Sequence, residues 1–307
     1  MQRGTVAGIA GYNGSQIYAN LGEARNKGVD GNIEYNDQFG KVGLRLFGNL
    51  TYAINKIVFQ DEPSKKYAYQ RGTGHMYGEF TGYIADGLFV DQNDIDKRPA
   101  QNLGVVAPGD VRYKDLSGDN VVDAADWTYL GKSWFPKWLY GAGFTVSYHN
   151  FDLSSLFQGI SDVGIMTNGA TISGPGASGA GVIPFSGMGQ YANNSLTVIK
   201  DRWTVDNPRQ NAAYPRLTVA SLLDNNYLAS SRWLKDGSYL RLKQVSLGYT
   251  ISSDKMKRTG IGSLYVYVAG QNLLTFSQFK LWDPELGSNG AKYPITRMGT
   301  VGVRALF

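Results

Sequence analysis

The chain has 307 residues, a net charge of +5, 13% aromatic and 18% charged residues, 39 glycines and no cysteine. This length accommodates one large or two ordinary domains, and high glycine and aromatic content with few charges favours short strands and turns. Absence of cysteine excludes thiolate metal sites, a disulfide framework and cysteine catalysis, and interspersed Lys and Arg without a dense basic run argue against nucleic acid as a partner. No stretch approaches about eighteen apolar residues, so no transmembrane helix is expected, while a membrane barrel stays open.

The opening run MQRGTVAGIAGYNG is broken by glycine and is too weak for a signal peptide. Between Ile17 and Asp37 side chains begin to alternate: Val29, Ile33 and Tyr35 on one parity, Asp30, Asn32, Glu34 and Asn36 on the other. Such a period of two predicts a strand with one apolar face. A second strand follows, with Val42, Leu44, Leu46, Leu50 and Tyr52 opposing Arg45, Asn49 and Thr51.

The acidic stretch GDVRYKDLSGDNVVDAADWTYLG, residues 109–131, comes next. Counted from Asp115, oxygen donors fall at the spacing of an EF-hand-type calcium loop: Asp115, Ser117, Asp119, the Val121 carbonyl, Asp123 and Asp126. Asn120 stands where glycine is usual, and Asp126 is a shorter arm than glutamate. Calcium needs several hard oxygens aimed at one point, which a tightly wound loop supplies; an acidic, solvated turn is the alternative.

Beyond it, Tyr140, Ala142, Phe144, Val146 and Tyr148 alternate with Gly141, Gly143, Thr145, Ser147 and His149, and Phe151, Leu153 and Phe157 resume after a tight hairpin. Val245, Leu247, Tyr249 and Ile251 form a fifth segment; Gly262 to Thr275, apolar on both parities, a sixth; and Val301, Val303, Ala305 and Phe307 a seventh.

Connections alternate strictly. Short ones lie near Gln38 to Gly40, at His149 and Asn150, and between Ser253 and Ile261; long ones span Phe59 to Lys137, Ser161 to Asp236 and Ser277 to Tyr293. Outer-membrane barrels join tilted strands of about ten residues in this manner, with short periplasmic turns and long external loops. Glu34, Arg45 and Arg304 keep to the polar parity, as an aqueous interior requires; Arg25, Lys27, Arg241 and Lys243 share parity with the apolar face, near the long-loop ends where exposure at a membrane rim costs little. A last strand closing on Phe307 also fits a barrel of this class.

The blocks NLGEARNKGVDGNIEYN, GYIADGLFVDQNDID, GDVRYKDLSGDNVVDAAD, YGAGFTVSYHNFDLSSLFQG, RWTVDNP with YPRL, YLRLKQVSLGYTIS, VYVAGQNLLTFSQF, WDPELG and YPITRMGTVGVRALF, in this order, resemble the C-terminal part of the SusC/RagA family of TonB-dependent outer-membrane transporters over nearly the whole chain. The resemblance implies an all-β fold: about seven antiparallel strands of a plugged barrel of roughly 22, with long extracellular loops. Residues 1–307 would then be its C-terminal portion, without plug, TonB box or signal peptide, with Met1 in an external loop and residues 109–131 in an extracellular excursion. It also implies the outer membrane of a Gram-negative bacterium, import of glycan oligosaccharides or peptides, a SusD/RagB-like lipoprotein partner, TonB engaged through the missing N-terminal part, and lipid around the barrel. Calcium at the acidic loop would be structural, and Trp203 and Trp282 would be substrate-stacking candidates in the long loops.

GPGASG, residues 174–179, matches a dinucleotide fingerprint but has neither the preceding strand nor the following helix. His75 and His149 lie far apart, and no catalytic group has a second element beside it, so an enzyme is not expected. The rival reading is a soluble calcium-dependent glycan-binding β-sandwich or adhesin, which has no need for alternating connection lengths.

Overall fold

The computed structural model describes residues 22–168, 197–217, 225–252, 260–290 and 292–307. Seven long strands form one antiparallel sheet: β1 Glu23–Phe39, β2 Val42–Phe59, β3 Trp138–Tyr148, β4 Phe151–Ser161, β5 Tyr239–Ile251, β6 Ser263–Ser277 and β7 Met298–Leu306, each beside its neighbour in sequence. The first segment's expected start, Ile17, lies outside the described residues.

Alternation survives pairing because the register keeps like with like. A single row runs across every strand as Phe39, Val42, Tyr148, Phe151, Tyr249, Val266 and Val303, each opposite the next. Beside it, Leu44, Val146, Leu153, Leu247, Val268 and Val301 form a second. The opposite face carries Asn36, Arg45, Thr145, Ser154, Ser246, Ala269 and Thr300 in one row. There Arg45 donates to both Glu34 oxygens at 2.9 and 3.2 Å, Ser154 bonds Ser246 at 2.7 Å, and Tyr265 donates to Asp152 at 2.8 Å. A shift of one residue in any strand would exchange the two faces, so these rows hold the register.

The expected parity of Arg241 and Lys243 needs correction. A bulge lies between Leu242 and Gln244, and it inverts the alternation toward the outer end of β5. Leu242 and Leu240 thereby join the apolar face, while Arg241 sits opposite Gln158 and Thr275 on the polar one. Arg241, 1% exposed, donates to Asp283 at 2.6 Å, and the Lys243 ammonium lies 3.5 Å from Glu285. Periodicity counted along a sequence cannot see an inserted residue. Arg25 and Lys27 stay on the apolar face at its outer end, opposite Lys56 and Ile54.

The strand connections at one end are tight: Gly40 and Lys41, then His149 and Asn150, with Gly40 and His149 in the left-handed region at φ 63° and 53°. All three long excursions leave from the other end. They contain short paired strands, among them Ala85–Leu88 with Val111–Tyr113 and Gly164–Met166 with Leu234–Asp236, and a five-residue helix, Gln92–Asp96, capped by the Asp91 carboxylate.

The buried apolar residues gather in these excursions. One cluster joins Tyr83, Leu88, Val111, Tyr113, Val122 and Trp203; another joins Phe80, Met166, Tyr227 and Trp233. The sheet's apolar face is bare by contrast, with Val29 and Val301 each 75% exposed and Ile33 74%. Soluble monomers rarely expose contiguous apolar surface on this scale. Leu88→Ala removes a fully buried side chain from the first cluster and is expected to cost about 2–5 kcal/mol, read as loss of urea stability of the excursions with the strand content by circular dichroism unchanged.

Candidate functional site

The outer excursions meet above the sheet, and polar contacts between residues distant in sequence hold them there. Asp110, fully buried, accepts from Arg216 Nε at 2.6 Å, Arg216 Nη2 at 3.1 Å, Asn226 Nδ2 at 2.7 Å and the Ala107 amide at 2.8 Å. Val111 N–H donates to the Asn226 side chain at 2.8 Å, its carbonyl accepts from Asn225 at 2.6 Å, and Tyr113 Oη donates to the Asn225 carbonyl at 2.7 Å. A buried carboxylate and two buried amides are costly unless satisfied. Here Asn226 and Arg216 satisfy Asp110, and Val111 and Gln101 satisfy Asn225, which locks the first excursion to the second. Alternation and loop motifs point to none of Asp110, Arg216, Asn225 or Asn226, because their contacts span more than a hundred residues.

The acidic loop folds as a self-satisfied turn. Asp126, fully buried, takes the amides of Leu116 at 2.7 Å, Ser117 at 2.9 Å and Asp123 at 2.9 Å. Asp115 accepts from the amides of Gly118 and Asn120 and from the Ser117 hydroxyl; Asp119 takes the Val121 amide, and Asp123 caps Ala125. Gly118 at φ 75° and Asn120 at φ 67° supply the left-handed turns. Burial raises the Asp115 pKa, but the amide and hydroxyl bonds outweigh it and hold the carboxyl below its ordinary value. Among the described residues no three His, Cys, Asp or Glu side chains are gathered to hold a metal. The four carboxylates at the calcium spacing are directed to backbone N–H groups in this conformation.

Trp203, expected as a stacking residue, is a packing residue: it is 6% exposed within the first apolar cluster, and a Cβ at Gly109 would lie 2.4 Å from its ring. Trp282 is half-buried, donates to the Gly287 carbonyl at 2.8 Å and packs edge-on against Phe279 at 4.9 Å. GPGASG lies outside the described residues.

Where the excursions join the polar face, a cavity of about 280 Å³ opens, lined among others by Trp134, Gln158, Ile160, Tyr239, Lys243 and Glu285. Trp134 is 58% exposed, while Glu285 is held between Lys243 at 3.5 Å and Arg241 at 3.4 Å. This combines an aromatic face with an amide and charged groups at the sheet's outer end.

Two expectations follow for the excursions. Asp126→Ala leaves three half-buried amides without their acceptor, a loss on the order of 3 kcal/mol, seen as rapid proteolysis between Asp115 and Asp126. Burial pushes the Glu62 carboxyl up, but bonds from the Gly72 and Thr73 amides override it and lower its pKa from 4.5 to about 2. Because the folded value is depressed, Glu62 stabilises fully above pH 4.5 and the gain is lost as pH falls toward about 2. Glu62→Gln should flatten the pH dependence of unfolding in that window and leave it unchanged above.

No known protein-family profile matches the chain. TonB-dependent receptor P26 of Formosa agariphila is 31% identical over 331 aligned positions, covering 99% of this chain and 31% of that protein; TonB-dependent receptor P3 of the same organism is 27% identical over 76% of this chain and 22% of its own length. The chain thus spans about a third or less of the curated relatives it matches. Among solved structures, the RagAB peptide importer in its open-open state superposes over the whole chain and 31% of its own, with TM-score 0.73 and 21% identity. These relatives are receptors and importers rather than enzymes. Along almost its whole length the chain is thus similar to about a third of a TonB-dependent receptor, and it shares the fold of the corresponding part of the RagAB importer.

Proposed function

We propose that the chain supplies seven neighbouring strands and three external excursions to a TonB-dependent outer-membrane importer of a Gram-negative cell, in a plugged barrel of about 22 strands that takes up peptides or glycan oligosaccharides. The observation that carries this reading is the two-faced sheet: apolar rows in register from β1 to β7 on one side, hydroxyls, amides and paired charges on the other. Lipid would cover the first and an aqueous lumen the second. Phe39, Tyr148, Phe151 and Tyr249 at the short-turn end, and Tyr52 against Trp138 at 4.3 Å near the other, match the aromatic girdles of such barrels.

The sheet ends in two edges, β1 and β7, each paired on one side only within the described residues. Open edges in lipid leave backbone groups unsatisfied, so further strands of a parent barrel would pair with them. A SusD/RagB-like lipoprotein would seat over the excursions, and TonB would act through a plug outside this segment. Trp282 and the cavity beside Trp134 and Lys243 are the substrate contacts of this reading. A soluble glycan-binding sandwich gains no support, because a second layer over the apolar face is absent among the described residues.

In the full-length receptor, a cysteine-linked nitroxide at Phe144 or Val301 is expected to collide with oxygen dissolved in lipid, and one at Thr145 or Arg304 with a water-soluble nickel chelate. The reverse pattern would remove the transport lumen. Phe144→Arg on the lipid side should cost about 2–4 kcal/mol of barrel stability, with Thr145→Arg far less. Full substrate affinity in Trp282→Ala would exclude Trp282 as a contact.

Calcium at the acidic loop is a separate proposal, supported by the spacing of Asp115, Ser117, Asp119, Val121, Asp123 and Asp126. Binding would require Asp115 and Asp126 to exchange amide donors for the ion, tightening a loop already wound around them. Titration calorimetry should show millimolar or tighter calcium binding that Asp119→Ala abolishes; no heat in that range rejects it.

A further inference from the structure

The apolar face is not uniform. Over the β1–β2 pair it carries a groove of about 620 Å³, walled by Val29, Ile33, Leu50 and Trp138 and floored by Gly31 and Gly48. Register explains the hollow. Val29 stands opposite Tyr52 and Tyr52 opposite Trp138, so bulky side chains cross three strands in one row. The next two rows are interrupted: Gly31 faces Leu50, and Gly48 lies between Ile33 and Ala142. A Cβ at Gly31 would meet nothing within 4 Å, and one at Gly48 would come no closer than 3.5 Å to another atom. Neither glycine has a positive φ. Backbone geometry therefore does not require them, and their effect is the missing side chain.

Toward the long-excursion end, the same face turns basic. Lys27 lies one side-chain row beyond Val29, opposite Ile54, and Arg25 lies two rows beyond, directly opposite Lys56. These three cations line a second hollow of about 460 Å³. Side chains directly opposite in an antiparallel pair have Cβ atoms about 4.5–5.5 Å apart, and like charges there repel. Arg25 reaches Glu23 only at 3.9 Å, and among the described residues Lys27 and Lys56 form no ion pair.

Depth gives this arrangement a direction. A tilted strand crosses the hydrocarbon in about 9–11 residues. Counted from Phe39 at the short-turn end, that length ends near Val29. Tyr52 and Trp138 then fall at the interface, with Lys27, Arg25 and Lys56 at headgroup level, where a cation on the lipid side costs little. Groove, aromatic row and basic rim follow one another as acyl chain, ester region and phosphate do in a phospholipid. A polypeptide lying in the groove would leave backbone polar groups unsatisfied against Val29 and Ile33, whereas an acyl chain has none.

We propose that the groove holds one acyl chain of an anionic outer-leaflet lipid whose phosphate lies among Arg25, Lys27 and Lys56. The proposal rests on the reading of this face as lipid-facing, and on nothing about cargo.

The test uses the full-length receptor in nanodiscs of equimolar dioleoyl phosphatidylglycerol and dioleoyl phosphatidylcholine, released into detergent and read by native mass spectrometry. Retention of phosphatidylglycerol over phosphatidylcholine is expected at about fivefold or more, the scale of one basic residue beside anionic lipid. The Arg25→Gln, Lys27→Gln, Lys56→Gln triple variant should bring the two lipids to parity. Lys27→Arg with Lys56→Arg should keep the preference, as should Lys41→Gln at the short-turn rim. Gly31→Leu fills the groove without touching a neighbour and should lower phosphatidylglycerol retention; it decides the question if the triple variant does not assemble. An undiminished preference in a triple variant with unaltered heat-modifiable mobility overturns the headgroup site, and undiminished retention in Gly31→Leu overturns the groove. Sodium glycerol 1-phosphate binding as tightly as the lipid would overturn the lipid assignment in favour of a bare anion site. Oxygen accessibility of the nitroxide at Val301, on the same face of β7, reports separately on the barrel reading. A wet Val301 removes the lipid face itself, whereas a lipid-exposed Val301 without phosphatidylglycerol preference removes only the site.

Discussion

Everything in this molecule depends on a ladder of backbone hydrogen bonds that stays in register across seven strands. Only when each N–H and C=O is paired with a neighbouring strand can one side of a sheet dispense with water altogether. Register then sorts the side chains: Phe39 through Val303 fall on one line, and Asn36 through Thr300 on a line of the other face. The apolar face contributes nothing to a core within the described chain. Its burial has to come from outside the described residues.

The usual arrangement of a globular domain is therefore inverted. Buried apolar residues such as Leu88, Val111, Val122 and Trp233 sit in the connections, and the regular secondary structure stays largely exposed. Long excursions of irregular backbone hold a shape only if their polar groups are matched, and here they are matched across the gap between excursions. Asp110 with Arg216 and Asn226, and Lys132 and Lys137 with Asp162, join the first excursion to the second, while Arg112 with Asp86 and Asp94 ties the first to itself. The acidic loop applies the same solution locally, with Asp126 gathering three amides of its own turn.

These two kinds of order meet at the end of β5. The bulge in β5 turns Arg241 inward, and its ion pair with Asp283 ties the segment after β6 to the wall of the sheet. That tie places Trp282 beside Phe279, and Glu285 beside Lys243 and Trp134. A single inserted residue thus determines which charges face the polar side and how the third excursion is carried.

Read alone, the sequence determined the strands, their number in the sheet, their polar and apolar parities and the alternation of short and long connections. Those properties depend on neighbours one or two residues apart and on the fixed period of a pleated chain. It could not reveal that Arg241 belongs to the polar face, since a bulge shows only against the partner strand. Nor could it distinguish Trp203, sealed over Gly109, from Trp282, still half-open: both are loop tryptophans until distant segments close around one of them. The spacing of the acidic loop was legible, while the direction of its carboxylates, toward amides of the same turn, was settled by the backbone winding through Gly118 and Asn120. What tertiary structure decided was the company kept by each long-range polar group, because contacts spanning a hundred residues leave no periodic trace in the chain.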